Sequence, residues 1–304
     1  MATIESTRTV ASDVAPSVDV QSSSLGRLGP WQLVRLLSEG NMSRVYQARP
    51  ADGLTNQPAA YAVKVLRNEW WRDPQAIEMQ RREAWIGSRI SHPNLLPVLS
   101  ASVRQPPFYI VTPKLDGESL TALITRRGPL EVPLALWIAR QVAEALDALY
   151  EAVDMIHTDV KPDNIFVSPT GHATLLDFGL AQTSEEATDW ATRPLAGTLT
   201  YIAPEMVTSA LAADARSDIY SLGVVLYEML GGRCPWDSDD PGELATLHRE
   251  AKPTDLAELR PDAPEPVTEL VHAMLAKDPL RRPESAAEVA ARLTRLEINC
   301  FALR

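Results

Sequence analysis

An α+β fold in two lobes is predicted: a small β-rich lobe with one helix, followed by a larger α-helical lobe. Three observations predict it. Short β-rich runs divided by turn formers fill Trp31 to Val111. Beyond Asp116 the apolar residues recur at helical spacing. The 304 residues suit one large domain or two small ones, and no internal repeat is present.

Residues 1–30 hold no aromatic residue and nine Ser or Thr, Ser22, Ser23 and Ser24 among them. Such a stretch cannot bury enough apolar surface to offset chain entropy, so it is expected to be a disordered tail. Strands are expected at Trp31–Leu37 and Arg44–Ala48 around a glycine-containing turn, at Tyr61–Leu66 after the linker Pro50–Pro58, and at Phe108–Thr112. The helix Gln75–Ile90 sets Ile77, Trp85 and Ile86 among charges, and Ser91-His92-Pro93-Asn94 stops it. In the second lobe, Leu134–Ala152 carries Leu134, Ile138, Val142, Ala145, Leu146 and Leu149 on a helical face. Short strands follow at Ile165–Val167 and Thr174–Leu176, then helices at Ser217–Leu230, Pro266–Ala276 and Ser285–Leu296. The expected lobes are residues 31–115 and 116–298, with 299–304 as the C-terminal end. The acidic run Asp237–Glu243 is expected to be a solvated loop.

Composition narrows the function. Hydrophobic residues make up 45% and charged residues 23%, as in globular chains and unlike collagenous or wholly disordered ones. With 29 Lys and Arg against 40 Asp and Glu, the net charge is −11, and no nucleic-acid partner is expected. Cys234 and Cys300 are too few for a disulfide framework and are expected to be reduced cytosolic thiols. The longest apolar run, Ile219 to Leu230, is broken by Ser221 and Glu228 and falls short of the roughly 18 residues of a membrane span. Met1 to Val10 carries Glu5 and Arg8, unlike a signal peptide. A soluble, cytoplasmic protein is expected.

The chemistry concentrates in His157-Thr158-Asp159-Val160-Lys161-Pro162-Asp163-Asn164, in the turn after the long helix. There an Asp, a Lys two residues on and an Asn five residues on can converge. Asp177-Phe178-Gly179 starts thirteen residues after Asn164, and Ala203-Pro204-Glu205 twenty-six residues after Asp177. Upstream, Ala62-Val63-Lys64 lies in a strand, and Glu83 lies in the helix; Glu78 competes with Glu83 for the same role.

These motifs in this order resemble the eukaryotic-like protein kinases, most closely the bacterial Ser/Thr type. The resemblance covers Trp31 to Leu296 and implies a bilobal protein-kinase fold using ATP and Mg²⁺, with Mn²⁺ as an alternative metal. It implies that Lys64 touches the α- and β-phosphates and that Glu83 holds Lys64. Asn164 and Asp177 are implied metal ligands, Asp159 the acceptor of the substrate proton, and Lys161 a partner of the γ-phosphate. Lys161 followed by Pro162 implies Ser/Thr hydroxyls of protein substrates, the protein's own included. The ATP cover is implied at Leu37, Ser38, Glu39, Gly40, Asn41, Met42, Ser43, Arg44 and Val45. Ala62 and Thr112 complete the pocket, and Pro113 and Leu115 form the hinge. Gly197 and Thr198 are implied to receive the peptide. Glu205, Asp218 and Arg282 have structural roles, Glu205 pairing with Arg282.

Three positions depart from the family pattern. Only Gly40 of the three loop glycines is present, with Ser38 and Ser43 at two small positions, which hinders close backbone approach to phosphates. Thr158 stands where many members carry an Arg that pairs with an activation-loop phosphate. Gly87 stands where a larger apolar side chain is usual, which predicts a loosely held helix. His157 is expected to pack and hydrogen-bond rather than act as a base, and Trp70-Trp71 to pack at a loop corner. A pseudokinase scaffold is the alternative to an active enzyme, and a small-molecule phosphotransferase a more distant one.

Overall fold

The computed structural model describes residues 25–52, 58–186, 199–207 and 213–302. Ser22, Ser23, Ser24, Thr188, Thr192, Gly197 and Thr198 lie outside them.

The small lobe is one antiparallel sheet and a helix. Its strands are β1 (Arg27–Leu28), β2 (Trp31–Glu39), β3 (Ser43–Pro50), β4 (Tyr61–Leu66), β5 (Ser100–Ser102) and β6 (Tyr109–Pro113), in the order β1-β2-β3-β4-β6-β5. Register decides what each face carries. Val45 lies opposite Lys64, and Ala62 opposite Thr112. Cross-strand partners share a face and side chains alternate along a strand, so Val45, Ala62, Lys64 and Thr112 share one face. Tyr46, Val63 and Val111 take the other and pack with Leu28, Leu33 and Ala48 as the lobe's core.

The expected tail ends too late. Leu28 pairs with Trp31 and is buried against Leu33, so order begins before Trp31. Averaging composition over residues 1–30 hides Leu25 and Leu28, which have an apolar cluster to join.

Helix α1 (Pro74–Gly87) is capped by Asp73, whose carboxylate accepts the Gln75 and Ala76 N–H groups at 2.9 Å. It ends three residues before the expected Ile90. Nor is its end loose. A Cβ on Gly87 would lie 2.5 Å from Val98 Cγ2, and the Val98 N–H donates to the Gly87 carbonyl at 2.9 Å. The missing side chain lets the following chain dock directly on the helix.

The larger lobe is built around α3 (Val132–Val153), which buries Ile138, Val142, Ala145, Leu146 and Leu149 and packs against α5 (Ala215–Gly231) and α9 (Ala286–Ala302). Helices α2 (Leu120–Arg127), α4 (Pro204–Val207), α6 (Pro241–Glu250), α7 (Leu256–Leu259) and α8 (Glu265–Met274) surround these. The strands β7 (Glu118–Ser119), β8 (Ile165–Val167) and β9 (Ala173–Leu175) form a second sheet. The apolar stretch Ile219 to Leu230 is core helix, and among the described residues no helix is long and apolar enough to cross a membrane.

The acidic run at Asp237–Glu243 is only partly a loop. Asp240 caps α6 through the Glu243 N–H at 2.8 Å, and Ser238 Oγ donates to the Glu243 carboxylate at 2.6 Å. The charges there serve a helix start rather than solvation alone.

Gly87→Ala sets two effects against each other. Helix propensity favours alanine by about 1 kcal/mol. Forcing a methyl group against the stiff Val98 side chain costs about 1–3 kcal/mol. Overpacking is expected to win, so thermal denaturation should show a lower midpoint for Gly87→Ala; a raised midpoint would overturn this account of the helix end.

Candidate active site

A cleft of about 900 Å³ opens between the lobes. The sheet contributes Leu37, Val45, Ala62 and Thr112, the last buried at the back. The adjoining ends of β2 and β3, with the turn between them, contribute Ser38, Glu39, Gly40 and Ser43. Pro113 and Leu115 line the connection between the lobes, which is held by the Lys114 N–H donating to the Ala60 carbonyl at 2.8 Å. Just beyond, Gly117 has φ +141°, and a Cβ there would sit 2.1 Å from the Val167 carbonyl oxygen. The hinge therefore lies directly on β8, an approach only glycine permits.

Three of the expected covering residues do not line the cleft. Met42 turns away to pack with Trp70, Trp71, Leu66 and Phe108. Arg44 donates to the Glu39 carboxylate at 2.8 Å, and Asn41 is exposed at the tip of the turn. The cleft also has a floor that the motifs did not name, made by Leu96, Phe166 and Leu176. The alternation in β8 carries the signal for Phe166: Ile165 and Val167 are buried in the lobe, which leaves the middle residue facing the opposite way.

Charge gathers at the inner end of the cleft. Lys64 Nζ lies 2.7 Å from Glu83 Oε2 and 3.0 Å from Asp177 Oδ2. Burial alone would lower the Lys64 ammonium, but the charges of Asp177 and Glu83 outweigh it and hold the group above the usual lysine range. Burial would likewise raise Asp177, yet the neighbouring Lys64 keeps its carboxyl below the usual range. Glu83 is the helix residue that Lys64 meets, and Glu78 is exposed. Asp177 has φ +63°, and the next side chain, Phe178, is buried edge-on against His157 at 5.8 Å.

The turn after α3 brings the other polar residues together. Asp159 receives Lys161 Nζ on both oxygens, at 2.9 and 2.8 Å. Asn164 donates its side-chain N–H groups to the Asp159 carbonyl at 2.9 Å and carboxylate at 2.8 Å. The backbone is held from below by buried Asp218, which accepts the His157 N–H at 2.6 Å and the Thr158 N–H at 2.8 Å. His157 is fully buried, with Nε2 3.0 Å from the Leu176 carbonyl.

Thr158 has φ +65°, a left-handed conformation that costs a β-branched residue on the order of 1–3 kcal/mol. Its hydroxyl donates to the Leu180 carbonyl at 2.6 Å, tying the turn to the segment after Asp177. A second tie uses Arg82 of α1. Its guanidinium donates to the Ala181 carbonyl at 2.7 Å and, with both terminal nitrogens, to the Glu186 carboxylate at 3.0 and 3.1 Å. Neither Arg82 nor Glu186 was singled out by the motifs, and their separation of 104 positions leaves no local signal.

Deeper in the larger lobe, Glu205 and Arg282 form a buried bidentate pair at 2.6 and 2.8 Å. Ser217 Oγ adds a bond to Glu205 at 2.7 Å, and Arg282 Nε donates to the Ala276 carbonyl at 2.8 Å. Breaking a pair this buried leaves an uncompensated charge, at a cost of about 3–5 kcal/mol. Cys234 and Cys300 form no disulfide, and burial pushes the Cys234 thiol up to about 12, leaving it protonated and inert.

Comparison with known proteins agrees with this geometry. Residues 31–292 match the protein kinase domain, and the chain belongs to that family. It is 32% identical over 263 residues to the serine/threonine-protein kinase PrkC of Bacillus subtilis, covering 86% of this chain and 40% of that one. It is 34% identical over 275 residues to PknH of Mycobacterium tuberculosis, covering 90% and 43%. With PknA of the same species the identity is 35% over 267 residues, covering 86% and 60%. The chain thus spans about two fifths to three fifths of the length of these relatives.

The contacts of Thr158 and Arg82 set an expectation for loop phosphate. A neutral hydroxyl cannot form the charge-assisted pair that arginine makes with phosphate, and Arg82 already has a carboxylate. Phosphatase treatment, or a Thr188→Ala, Thr192→Ala variant, is expected to lower phosphotransfer by less than about tenfold, about 1.4 kcal/mol of barrier. A larger loss would show that a cation reads a loop phosphate.

Proposed function

We propose that the chain is an ATP-dependent protein kinase. It transfers the γ-phosphate of Mg-ATP to Ser or Thr hydroxyls of protein substrates and phosphorylates itself. The observation that carries this reading is the convergence of Lys64, Asp177, Asn164 and Asp159 at one end of a cleft whose other end is apolar. Such a cleft suits a flat base at one end and a charged chain at the other.

Each polar residue has a task that its surroundings support. Lys64, held charged by two carboxylates, neutralises the α- and β-phosphates, and Glu83 keeps it in place. Asp159 accepts the proton of the acceptor hydroxyl as its oxygen bonds to the γ-phosphorus and the bond to the β-phosphate oxygen breaks. Lys161, which already touches both Asp159 oxygens, stabilises the charge on the γ-phosphate.

Asp177 and Asn164 fit a magnesium ion by their donor chemistry. They offer hard oxygens, and one or two such protein ligands are what Mg²⁺ takes beside phosphates and water. The Asn164 amide nitrogen is spent on Asp159, so its oxygen is the atom left for a cation. When bound, the ion neutralises phosphate charge; Mn²⁺, with the same preference for oxygen, is an alternative.

Leu37, Val45 and Ala62 cover the base, and Thr112 closes the back of the pocket. The Pro113 and Leu115 backbone supplies its hydrogen bonds. Gly197 and Thr198, outside the described residues, receive the peptide. Lys161-Pro162 supports Ser/Thr over Tyr, as do the names of the relatives. A cytoplasmic setting belongs to this reading, because ATP is supplied there, and the net charge of −11 speaks against nucleic acid as a substrate. The scaffold alternative rests on the sparse glycines alone; Lys64, Asn164 and Asp177 line the cleft, and Asp159 and Lys161 are linked to it through Asn164.

With Mg²⁺-ATP and a protein acceptor, Asp159→Asn, Lys64→Ala and Asp177→Ala are each expected to lower turnover by at least about a hundredfold. Activity of Asp177→Ala within threefold of wild type would sink the metal assignment. Mass spectrometry after incubation with ATP should find phosphate on Ser or Thr, and phosphate on Tyr alone would overturn the specificity.

A further inference from the structure

The structure assigns Trp70 and Arg67 a positioning role: they brace the turn at residues 40–43 from behind, in place of the glycines that it lacks. The inference rests on the nucleotide reading above and extends it to residues outside the cleft.

Three successive carbonyls of the turn are held from one side. Gly40 O accepts from Arg67 Nη1 at 3.3 Å, Asn41 O from the Trp70 indole N–H at 3.2 Å, and Met42 O from the Arg67 backbone N–H at 2.9 Å. The Met42 side chain sinks into the cluster of Leu66, Phe108, Trp70 and Trp71. The brace is itself fixed. Trp71 Nε1 donates to the Leu66 carbonyl at 2.9 Å, and Arg67 Nη2 pairs with Glu69 at 2.6 Å. Residues 67–70 continue directly from β4, the strand that carries Lys64.

A trans peptide is planar, with its N–H opposite its C=O. Binding the Gly40 and Asn41 carbonyls to the brace therefore turns the Asn41 and Met42 N–H groups away from it. Neither N–H has an acceptor among the described residues. The ends of the turn, Gly40 and Ser43, both line the cleft, and the Gly40 N–H closes the turn on the Ser43 carbonyl at 2.8 Å. Two backbone donors are thus fixed in advance on the side of the turn away from the brace, between Gly40 and Ser43, which line the cleft. Glycines supply such geometry through backbone freedom, which costs entropy when the ligand orders the loop. Here the order precedes the ligand, and the ordering cost at binding is reduced.

The test is calorimetry of Mg-ATP and of adenosine on the full chain. Trp70→Phe keeps an aromatic ring at the cluster while removing the indole N–H. It is expected to weaken ATP binding about fivefold, the effect of one lost hydrogen bond, and to change adenosine binding less than twofold. Met42→Ala is expected to act in the same direction on ATP, again sparing adenosine. In turnover, the KM for ATP should rise while that for the acceptor protein stays. Equal weakening of ATP and adenosine, or no change in either, would overturn the brace and leave the nucleotide reading intact. A wild-type chain that binds neither ligand would overturn that reading, and the brace with it.

Discussion

One ammonium group, on Lys64, joins the three parts of the molecule that must be in register. Its strand β4 is the middle of the small sheet, Glu83 comes from α1, and Asp177 comes from the turn after β9 in the larger lobe. Two carboxylates share a single cation; Glu83 is buried, while Asp177 keeps an open side. Charge-assisted hydrogen bonds there are strong, and losing the cation would leave two like charges facing each other. Moving α1 away from the sheet, or one lobe from the other, separates these charges. The relative position of the lobes is thus an electrostatic matter as much as a packing one.

Below this cluster, rigidity comes from the larger lobe. Helix α5 is buried along most of its length and supplies Asp218, whose two oxygens hold the N–H groups of His157 and Thr158. That support keeps Thr158 in a conformation it would not adopt alone, and the strained turn holds Asp159 against Asn164, which lines the cleft. Arg282 performs a similar service one layer down, spreading its N–H groups over Glu205 and the carbonyls of Arg216, Ala276 and Lys277. In both layers the buried carboxylates and the Arg282 guanidinium are paired, and the chemistry sits on fixed backbone.

Much of this was legible in the sequence, for a physical reason. Catalytic side chains announce themselves because few residue types can do the work, so Asp159, Lys161, Asn164 and Asp177 are visible as letters. Helices α3 and α9 were visible through periodicity, since a buried face must repeat with the turn. The illegible features depend on contacts between distant residues. Gly87 reads as a weak point until Val98 is placed against it. Met42 reads as part of a nucleotide cover until Trp70 and Trp71 take its side chain. Arg82 and Glu186 are ordinary surface letters until the fold brings them together. Helix α6 was a different failure, since Asp240 before Pro241 is a start signal that the run of acidic residues obscured.

The contact at Gly87 turns helix α1 into a lever with its fulcrum at one end. With the C-terminal residue docked on Val98, any swing of the helix pivots there. At about 1.5 Å per residue, Pro74 stands roughly 20 Å from that pivot and Glu83 only about 6 Å. A displacement at the far end reaches Glu83 reduced about threefold. That far end abuts the Trp70-Trp71 corner, through Ala76 and Ile77. Disturbances entering from the nucleotide cover are therefore geared down before they reach the Lys64 ion pair, whereas a push near Val98 would be transmitted to it almost undiminished.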